Sequence, residues 1–217
     1  MAAFIGAIGF VYSLLFKMEL REYIPYLTVN FVVWTFIAGT LTDACLTFSE
    51  AEKYLRQERL PKTVFLMRIL LRNLLILGHN ALLIPVVMIF FRVPVSWSLM
   101  LAFVGLTLLM LNLLLGSFFL AVICTRFRDL PQMVAALIQI AFFVSPIMWH
   151  KGQISQTFPS VIDFNPFAHH LIVVTEPILG NVPGWDRYLV CLASTIVLAL
   201  IALPFFARFR ERVVYWL

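Results

Sequence analysis

Residues 97–124 read WSLMLAFVGLTLLMLNLLLGSFFLAVIC, a stretch that contains no Asp, Glu, Lys or Arg. An α-helix needs about 20 apolar residues to cross the ~30 Å hydrocarbon core of a bilayer, and this stretch is long enough. The rest of the chain has the same character: hydrophobic residues make up 62% of its 217 residues and charged residues only 12%, and the mean hydropathy is +0.97. The composition is that of an integral membrane protein.

Long apolar segments separated by short polar ones predict an all-α membrane protein with six transmembrane helices in a single transmembrane domain, residues 1–217. The segments are continuously apolar and too long for barrel strands, which favours helices. The first is short for a bilayer, and the third is long enough to require tilt. The predicted spans are 1–16, 24–46, 64–91, 97–124, 131–149 and 185–207.

The positive charges between the segments predict the orientation. Eleven of the 16 Lys and Arg residues fall on one side of the predicted bilayer. Because Lys and Arg are enriched in cytoplasmic loops, this side is predicted to be cytoplasmic, with both termini inside. The cytoplasmic set comprises Lys53, Arg56, Arg59, Lys62, Arg68, Arg72, Arg126, Arg128, Arg208, Arg210 and Arg212; the outer set comprises Lys17, Arg21, Arg92, Lys151 and Arg187.

The cytoplasmic connection over residues 49–62 is predicted to form a short helix. Ser49 and Glu52 have the spacing of a capping box, and Glu52 and Arg56 are spaced for an i,i+4 ion pair. Ala51, Tyr54 and Leu55 give it a narrow apolar stripe. Two interpretations remain open: an interfacial helix between two spans, or a helix that docks into a partner protein.

Residues 150–184, on the predicted outer side, are long and partly apolar. Asn165 followed by Pro166 is typical of an N-cap and first helical residue. A helical apolar face follows, formed by Phe167, Leu171, Val174 and Ile178. Such a helix is too short to span, so we expect it to lie in the outer interface or to dip back into the membrane. Its function is then either a lid on a pathway or an interfacial anchor.

The fifth span has its own start signals, in which Asp129 is predicted as the N-cap and Pro131 lies in the first turn. Four aromatic residues on spans two and five, Phe31, Trp34, Phe142 and Phe143, either line a path as a stacking surface or face lipid and core.

Enzymatic and nucleic-acid-binding functions are disfavoured by the residue pattern. The basic residues are not gathered into a patch with stacking aromatics, so nucleic acid is not predicted as a partner. The three cysteines and four histidines have no metal-ligand spacing, so no metal site is predicted. The chain has no GxxxxGK[ST] phosphate loop and no catalytic motif.

Several motifs occur in an order that resembles one known family, the permease subunits of bacterial polysaccharide-export ABC transporters of the Wzm/KpsM/TagG type. The resemblance covers essentially the whole chain. The motifs are FKMELREYIPYL (16–27), SEAEKYLRQERLPK (49–62), FRDLPQ (127–132), SPIMW (145–149), NPF (165–167) and ERVVYWL (211–217).

This resemblance implies a homodimer in the bacterial plasma (inner) membrane that exports a lipid-linked glycan such as O-antigen, capsule or teichoic acid. ATP and Mg²⁺ would be bound by a separate ATPase, leaving no catalytic residue and no cofactor in this chain. Residues 49–62 would be the coupling helix, and residues 154–180 would close the outer mouth. The implied coupling residues are Ser49, Glu52, Lys53, Tyr54 and Arg56; the implied gate residues are Asn165, Pro166, Phe167 and Leu171.

The sequence departs from the family at its start. Members usually begin with tens of residues that form an amphipathic cytoplasmic helix, whereas Met1 here falls inside the first span, so we expect an N-terminal truncation. Two alternatives remain: a related ABC permease for a lipid, drug or haem-like substrate, and an intramembrane acyl- or glycosyltransferase that uses His79 or His169.

Overall fold

The computed structural model describes residues 1–16, 19–57, 60–94, 96–149 and 163–217. All the regular secondary structure within these ranges is helical, which confirms the predicted all-α class. The helices are α1 (Ala2–Phe16), α2 (Leu20–Glu50), α3 (Glu52–Gln57), α4 (Lys62–Ala81), α5 (Leu83–Phe91), α6 (Leu99–Arg126), α7 (Leu130–Val144), α8 (Pro166–Ile178), α9 (Trp185–Phe209) and α10 (Val213–Trp216).

Four helical stretches are long and apolar enough to cross a membrane: α2, α4 with α5 (joined at Leu82), α6 and α9. They correspond to four of the six predicted spans. The other two predicted spans, 1–16 and 131–149, correspond to the shorter apolar helices α1 and α7. The six-span count is therefore not established by helix length, although all six apolar segments are helical.

Helix α2 is the central helix of the bundle. It contacts α1, α3, α4, α5, α6, α7 and α8, and residues such as Tyr23, Val32 and Ile37 are completely buried. The other long helices keep broad apolar faces exposed, for example Phe90 and Leu200. Exposed apolar side chains are expected where hydrocarbon is the surrounding solvent, so α2 is the part of the fold that is shielded from lipid.

Helix α7 is shorter than predicted, since it ends at Val144 and not at residue 149. Ser145 has an extended ψ of 150°. A proline disfavours the helical conformation of the residue before it, so Pro146 explains this end. Asp129 occupies the predicted N-cap position but makes no side-chain capping hydrogen bond, because its backbone is itself in the helical region.

The predicted Ser49–Glu52 capping box does not form. Ser49 lies inside the last turn of α2, which continues to Glu50, and Ala51 separates α2 from α3. A capping box requires its first residue to stand outside the helix, and here that residue is still helical. Within the range 49–62 predicted as a helix, the structure describes α3 over Glu52–Gln57, and the predicted Glu52–Arg56 ion pair is present at 2.9 Å.

Helix α8 begins as predicted. The Asn165 side chain accepts hydrogen bonds from the backbone N–H groups of Phe167 and Ala168, and Pro166 is the first helical residue. The helix is buried on more sides than its predicted apolar face, however, since every residue from Ala168 to Thr175 is buried. Helix α8 packs against α2, α6 and α9, so it is enclosed by the bundle instead of lying on its surface.

Candidate functional site: the two ends of the bundle

The polar features concentrate at the two ends of the helix bundle. We call the end that holds α3, the start of α4, the end of α6 and α10 the α3 end. The opposite end, which holds the start of α2, residues 92–94 and 96–98 and the start of α9, is called the α8 end, because α8 terminates there: the Ser98 hydroxyl donates to the Pro177 carbonyl at 2.9 Å.

The five predicted coupling residues lie together at the α3 end. Leu55 and Ala51 are buried against Phe48, Phe65 and Leu66, and this contact fixes α3 to α2 and α4. Tyr54, predicted as part of the apolar stripe, is instead 59% exposed. The solvent-facing side of α3 therefore presents an aromatic residue between basic ones. The exposed members of the predicted set are Ser49, Lys53, Tyr54 and Arg56, and Glu52 is half-buried.

Grooves flank α3 on both sides. One is lined by Thr47, Glu50, Tyr54, Phe65, Arg68 and Arg72. The other lies between α3, the α6–α7 connection and the C-terminal residues, and is lined by Ser49, Glu52, Thr125, Arg128, Trp216 and Leu217. The exposed side of α3 therefore lies between two grooves.

The C-terminal residues support α3 and the end of α6. Val213 is fully buried, and α10 contacts both of those helices. The Arg126 guanidinium lies 5.9 Å from the centre of the Trp216 ring, within cation–π range. In the sequence, Arg126 is only one basic residue of the predicted cytoplasmic set. Its position over Trp216 depends on α10, whose packing only the folded chain shows.

The predicted aromatic path residues do come together. The Trp34 and Phe142 ring centres are 5.9 Å apart, Phe31 and Phe142 are 6.1 Å apart, and Phe142 and Phe143 are 5.3 Å apart. Phe167, predicted as a gate residue, joins them with its ring centre 5.8 Å from that of Trp34. We call these five residues the aromatic cluster.

Exposure varies strongly within the aromatic cluster. Trp34 is 5% exposed, Phe31 and Phe142 are half-buried, and Phe143 is 60% exposed. Trp34 therefore contributes to packing between α2, α7 and α8, whereas Phe142 and Phe143 present ring surface to the outside of the monomer. The cluster also connects the predicted path to the predicted gate, which the sequence did not indicate.

Two tyrosines of α2 hold the segment that follows α7. The Tyr23 hydroxyl donates to the Met148 carbonyl at 2.6 Å. The Tyr26 hydroxyl lies 2.6 Å from the Pro146 carbonyl and 2.9 Å from the Trp149 carbonyl. These backbone carbonyls lie outside a helix, and a buried carbonyl needs a hydrogen-bond partner. The tyrosines supply this partner. The EYIPY residues of α2 (22–26) therefore contact the SPIMW residues (145–149) directly.

Helix α8 is tied to its neighbours by polar contacts at its start. The Asn165 amide donates to the Ser145 hydroxyl at 2.9 Å. Arg187, in the first turn of α9, is 3.1 Å from an Asp163 carboxylate oxygen and 3.4 Å from Nδ1 of His169. His169 and His79 lie on different helices, α8 and α4, and the part of the chain that the structure describes shows no group of three or more His, Cys, Asp or Glu residues able to hold a metal ion.

Polar residues inside the long helices bond between helices. The Asn112 amide donates to the Thr195 hydroxyl and links α6 to α9. Asp43 of α2 accepts from the Asn73 amide at 2.7 Å and pairs with Arg72. The sequence feature that could have indicated this link is the presence of an Asp and an Arg in two separate apolar segments. Their pairing, however, depends on the α2–α4 contact.

Some predicted features lie outside the described residues: Lys17, Arg59, Lys151 and His150, and residues 154–162 of the predicted gate segment.

The sequence similarity of the chain to known proteins agrees with its long apolar helices. No family model matches the chain. The chain is similar to two Klebsiella pneumoniae proteins, each named O-antigen export system permease protein RfbA. Each is 22% identical to it over 213 aligned residues, covering 94% of this chain and 79% of the relative. This similarity confirms the resemblance of the chain to the transmembrane permease subunits of polysaccharide-export ABC transporters.

Proposed function

We propose that the chain is the membrane subunit of an ATP-driven exporter that moves a lipid-linked polysaccharide across the bacterial plasma membrane. The observation that carries the proposal is the similarity to O-antigen export permeases along 94% of the chain. The helix lengths and the ordered motifs agree with it. The partners are a separate ATPase, which binds ATP and Mg²⁺, a second copy of the chain, and the glycan with its lipid carrier.

A protein pathway is needed because of the chemistry of the cargo. Each sugar hydroxyl that enters hydrocarbon without a hydrogen-bond partner is unfavourable by several kcal/mol, roughly 4–8 in a purely apolar solvent. A long glycan therefore requires a route in which water or protein groups satisfy its hydroxyls. Sugar rings also have apolar C–H faces, which pack well on aromatic rings. The exposed rings of Phe142 and Phe143 are suitable surfaces for such packing.

We assign coupling to α3. It is an exposed helix at the α3 end, and Leu55 and the adjacent Ala51 pack in one core cluster with residues of α2 and α4. A push on Lys53, Tyr54 or Arg56 would therefore be transmitted to the long helices. The proposal places the α3 end in the cytoplasm, in agreement with the positive charges that gather there.

We assign gating to α8. Phe167 in its first turn contacts Trp34, and the Pro177 carbonyl near its end accepts a hydrogen bond from Ser98, beside the start of α6. A short helix enclosed by longer ones can block a route at rest and open when those helices separate. The proposal places the α8 end on the outer side of the membrane.

The test is made in the organism that encodes the chain. Deleting its gene should remove the long surface glycan from electrophoretic profiles and leave the lipid-linked precursor inside the cell, and plasmid-borne protein should restore export. An affinity-tagged chain should also bring down an ATPase. Surface glycan that is unchanged in the deletion strain, under conditions where the protein is normally made, would reject the proposed function.

A further inference from the structure

Three arginines at the α3 end lie against aromatic rings. The guanidinium groups of Arg208 and Arg212 lie 5.8 and 5.7 Å from the centre of the Phe209 ring, so that one ring is shared by two cations. The Phe209 and Trp216 ring centres are 6.1 Å apart, and the Arg126 guanidinium lies 5.9 Å from the Trp216 ring. These are distances of cation–π contacts and aromatic pairs. We call these five residues the arginine–aromatic band.

The three arginines of the band have exposed side chains and no carboxylate partner in the part of the chain that the structure describes. The carboxylate next to the band in sequence, Glu211, is already paired. It lies 3.7 Å from the Lys62 ammonium and 3.4 Å from the Arg210 guanidinium. An anion from outside the chain can therefore balance the charge of the band.

The aromatic contacts leave the hydrogen-bonding capacity of the guanidinium groups unused. A guanidinium is planar and carries five N–H donors in a fork that matches two oxygens of one phosphate or carboxylate group. A ring attracts the charge of the cation but offers no oxygen to these donors. Within the described ranges, the three guanidinium groups of the band make no hydrogen bond. Phe209 and Trp216 therefore hold the cations in place without satisfying their N–H groups.

The surface that leads to Arg208 indicates where the anion comes from. Val197, Ile201, Pro204 and Arg208 are spaced i, i+4, i+7 and i+11, so they lie along one face of α9, and all four are exposed. An exposed apolar stripe on a long apolar helix faces hydrocarbon, and an arginine at the end of such a helix extends to the headgroup level. The nearest anions to Arg208 are then the phosphates of membrane lipids.

We propose that the arginine–aromatic band is a binding site for an anionic phospholipid. The guanidinium groups of Arg208 and Arg212 hold the oxygens of the lipid phosphate, and Arg126 adds a third cation. An acyl chain lies along the apolar stripe that ends at Arg208. A lipid with a net negative charge is favoured over a zwitterionic one, because its phosphate is not balanced by an ammonium group of its own. The inference concerns the lipid around the chain and does not depend on what the chain exports.

Retention of lipid by the purified full chain tests the site. Native mass spectrometry is carried out in detergent with equal amounts of phosphatidylglycerol and phosphatidylcholine that have the same acyl chains. The chain should retain phosphatidylglycerol in preference, and equal retention of the two lipids would overturn the inference. Inorganic phosphate added at the concentration of the lipid should not displace phosphatidylglycerol. Displacement would show a site for any phosphate and would overturn the assignment to lipid.

Three single variants locate the site. Arg208→Gln and Arg212→Gln should each lower the affinity for phosphatidylglycerol about fivefold, the order expected for one basic residue near a membrane surface. Arg210→Gln is the matched control, because it removes the same charge between those two positions, whereas Arg210 is ion-paired with Glu211 and lies outside the band. Its affinity should stay within about twofold of wild type, since an exposed pair contributes little. Equal losses in all three variants would show a response to net charge alone and would contradict a specific site.

The partner ATPase distinguishes a lipid from a protein as the occupant of the band. Arg208→Gln and Arg212→Gln should keep the wild-type level of co-purified ATPase and, without added lipid, the wild-type midpoint of thermal unfolding. Loss of the ATPase with unchanged retention of phosphatidylglycerol would assign the band to protein docking and overturn the inference. The comparison of phosphatidylglycerol with phosphatidylcholine uses the wild-type chain, so its result stands however the variants behave.

Discussion

At the scale of single residues, two backbones approach each other at Gly105. A Cβ atom added there would overlap the carbonyl oxygen of Val173 in α8. Real Cβ atoms do not approach backbone atoms so closely, so only glycine allows α6 and α8 to pack in this way. Small residues at helix crossings have the same role in membrane proteins generally.

We therefore predict that Gly105→Ala destabilises the protein by about 1–3 kcal/mol, the range of overpacking in a filled core. Gly78→Ala is the matched control, since an added Cβ there meets nothing within 4 Å. Thermal unfolding in one detergent should show a lower midpoint for the first variant and an equal or higher midpoint for the second. Equal midpoints for Gly105→Ala and wild type would contradict the close packing.

The aromatic cluster makes a second residue-scale prediction. Replacing Phe142 and Phe143 together by Leu keeps the helix apolar but removes two ring faces from its exposed part. If these rings carry sugars, surface glycan should fall several-fold while the ATPase still co-purifies. If they only face lipid, export should be unchanged, since leucine is equally favourable in hydrocarbon.

Phe103→Leu is the control for general effects of losing a ring. Phe103 is 63% exposed on α6 and lies outside the aromatic cluster. Trp34 is a poorer test than the phenylalanines, because it is 5% exposed and its substitution would also change core packing.

At the scale of elements, α3 combines a buried side with an exposed one in only six residues. Its stability comes from Leu55 and Ala51 in the core, because the exposed Glu52–Arg56 pair contributes only about 0.3–0.5 kcal/mol. The exposed side chains can therefore be changed without loss of the helix.

We predict that Glu52, Tyr54 and Arg56, substituted together by Ala, leave the subunit inserted but release the ATPase or uncouple hydrolysis from export. Pull-down of the ATPase and surface glycan should both be measured. Tyr215→Ala is the control, since Tyr215 is 88% exposed on α10 at the same end of the bundle. Normal export by the triple variant would remove α3 from the coupling role.

At the scale of the whole molecule, the positive charges and the helix directions together predict which end faces the cytoplasm. Gln57 lies at the α3 end and Val182 at the α8 end, and both side chains are exposed. The three native cysteines, Cys45, Cys124 and Cys191, are buried, so background labelling of intact cells should be low.

We predict that Val182→Cys is labelled from outside by a membrane-impermeant maleimide, whereas Gln57→Cys and a cysteine added after Leu217 are labelled only after the cells are permeabilised. The physical reason is the enrichment of Lys and Arg around the α3 end, which opposes its translocation. Labelling of Gln57→Cys in intact cells would overturn the orientation.

Features that depend on local chemistry could be predicted from the amino-acid sequence alone. Hydropathy located the apolar helices, because hydrocarbon requires long uninterrupted apolar segments whatever their neighbours are. The Asn165–Pro166 pair located the start of α8, because an N-cap and its first helical residue act within one turn. The Glu52–Arg56 ion pair was predictable for the same reason, because its two residues are only one helical turn apart.

The capping-box prediction at Ser49 and the predicted end of the fifth span were wrong where a local signal competed with its surroundings. The helical signal of α2 continued through Ser49, and Pro146 ended α7 before its apolar run was complete. In both cases the amino-acid composition was suitable for the predicted element, but the backbone conformation of one residue was not: Ser49 is helical and Ser145 is extended.

Which residues meet across the chain depends on how the helices pack. The packing places α8 inside the bundle, joins Phe167 to Trp34, and pairs Asp43 with Arg72 and Asn73. These contacts link residues far apart in sequence, and they depend on helix crossings such as the one at Gly105. A hydropathy pattern records how apolar each segment is, but it does not record which face of one helix packs against another.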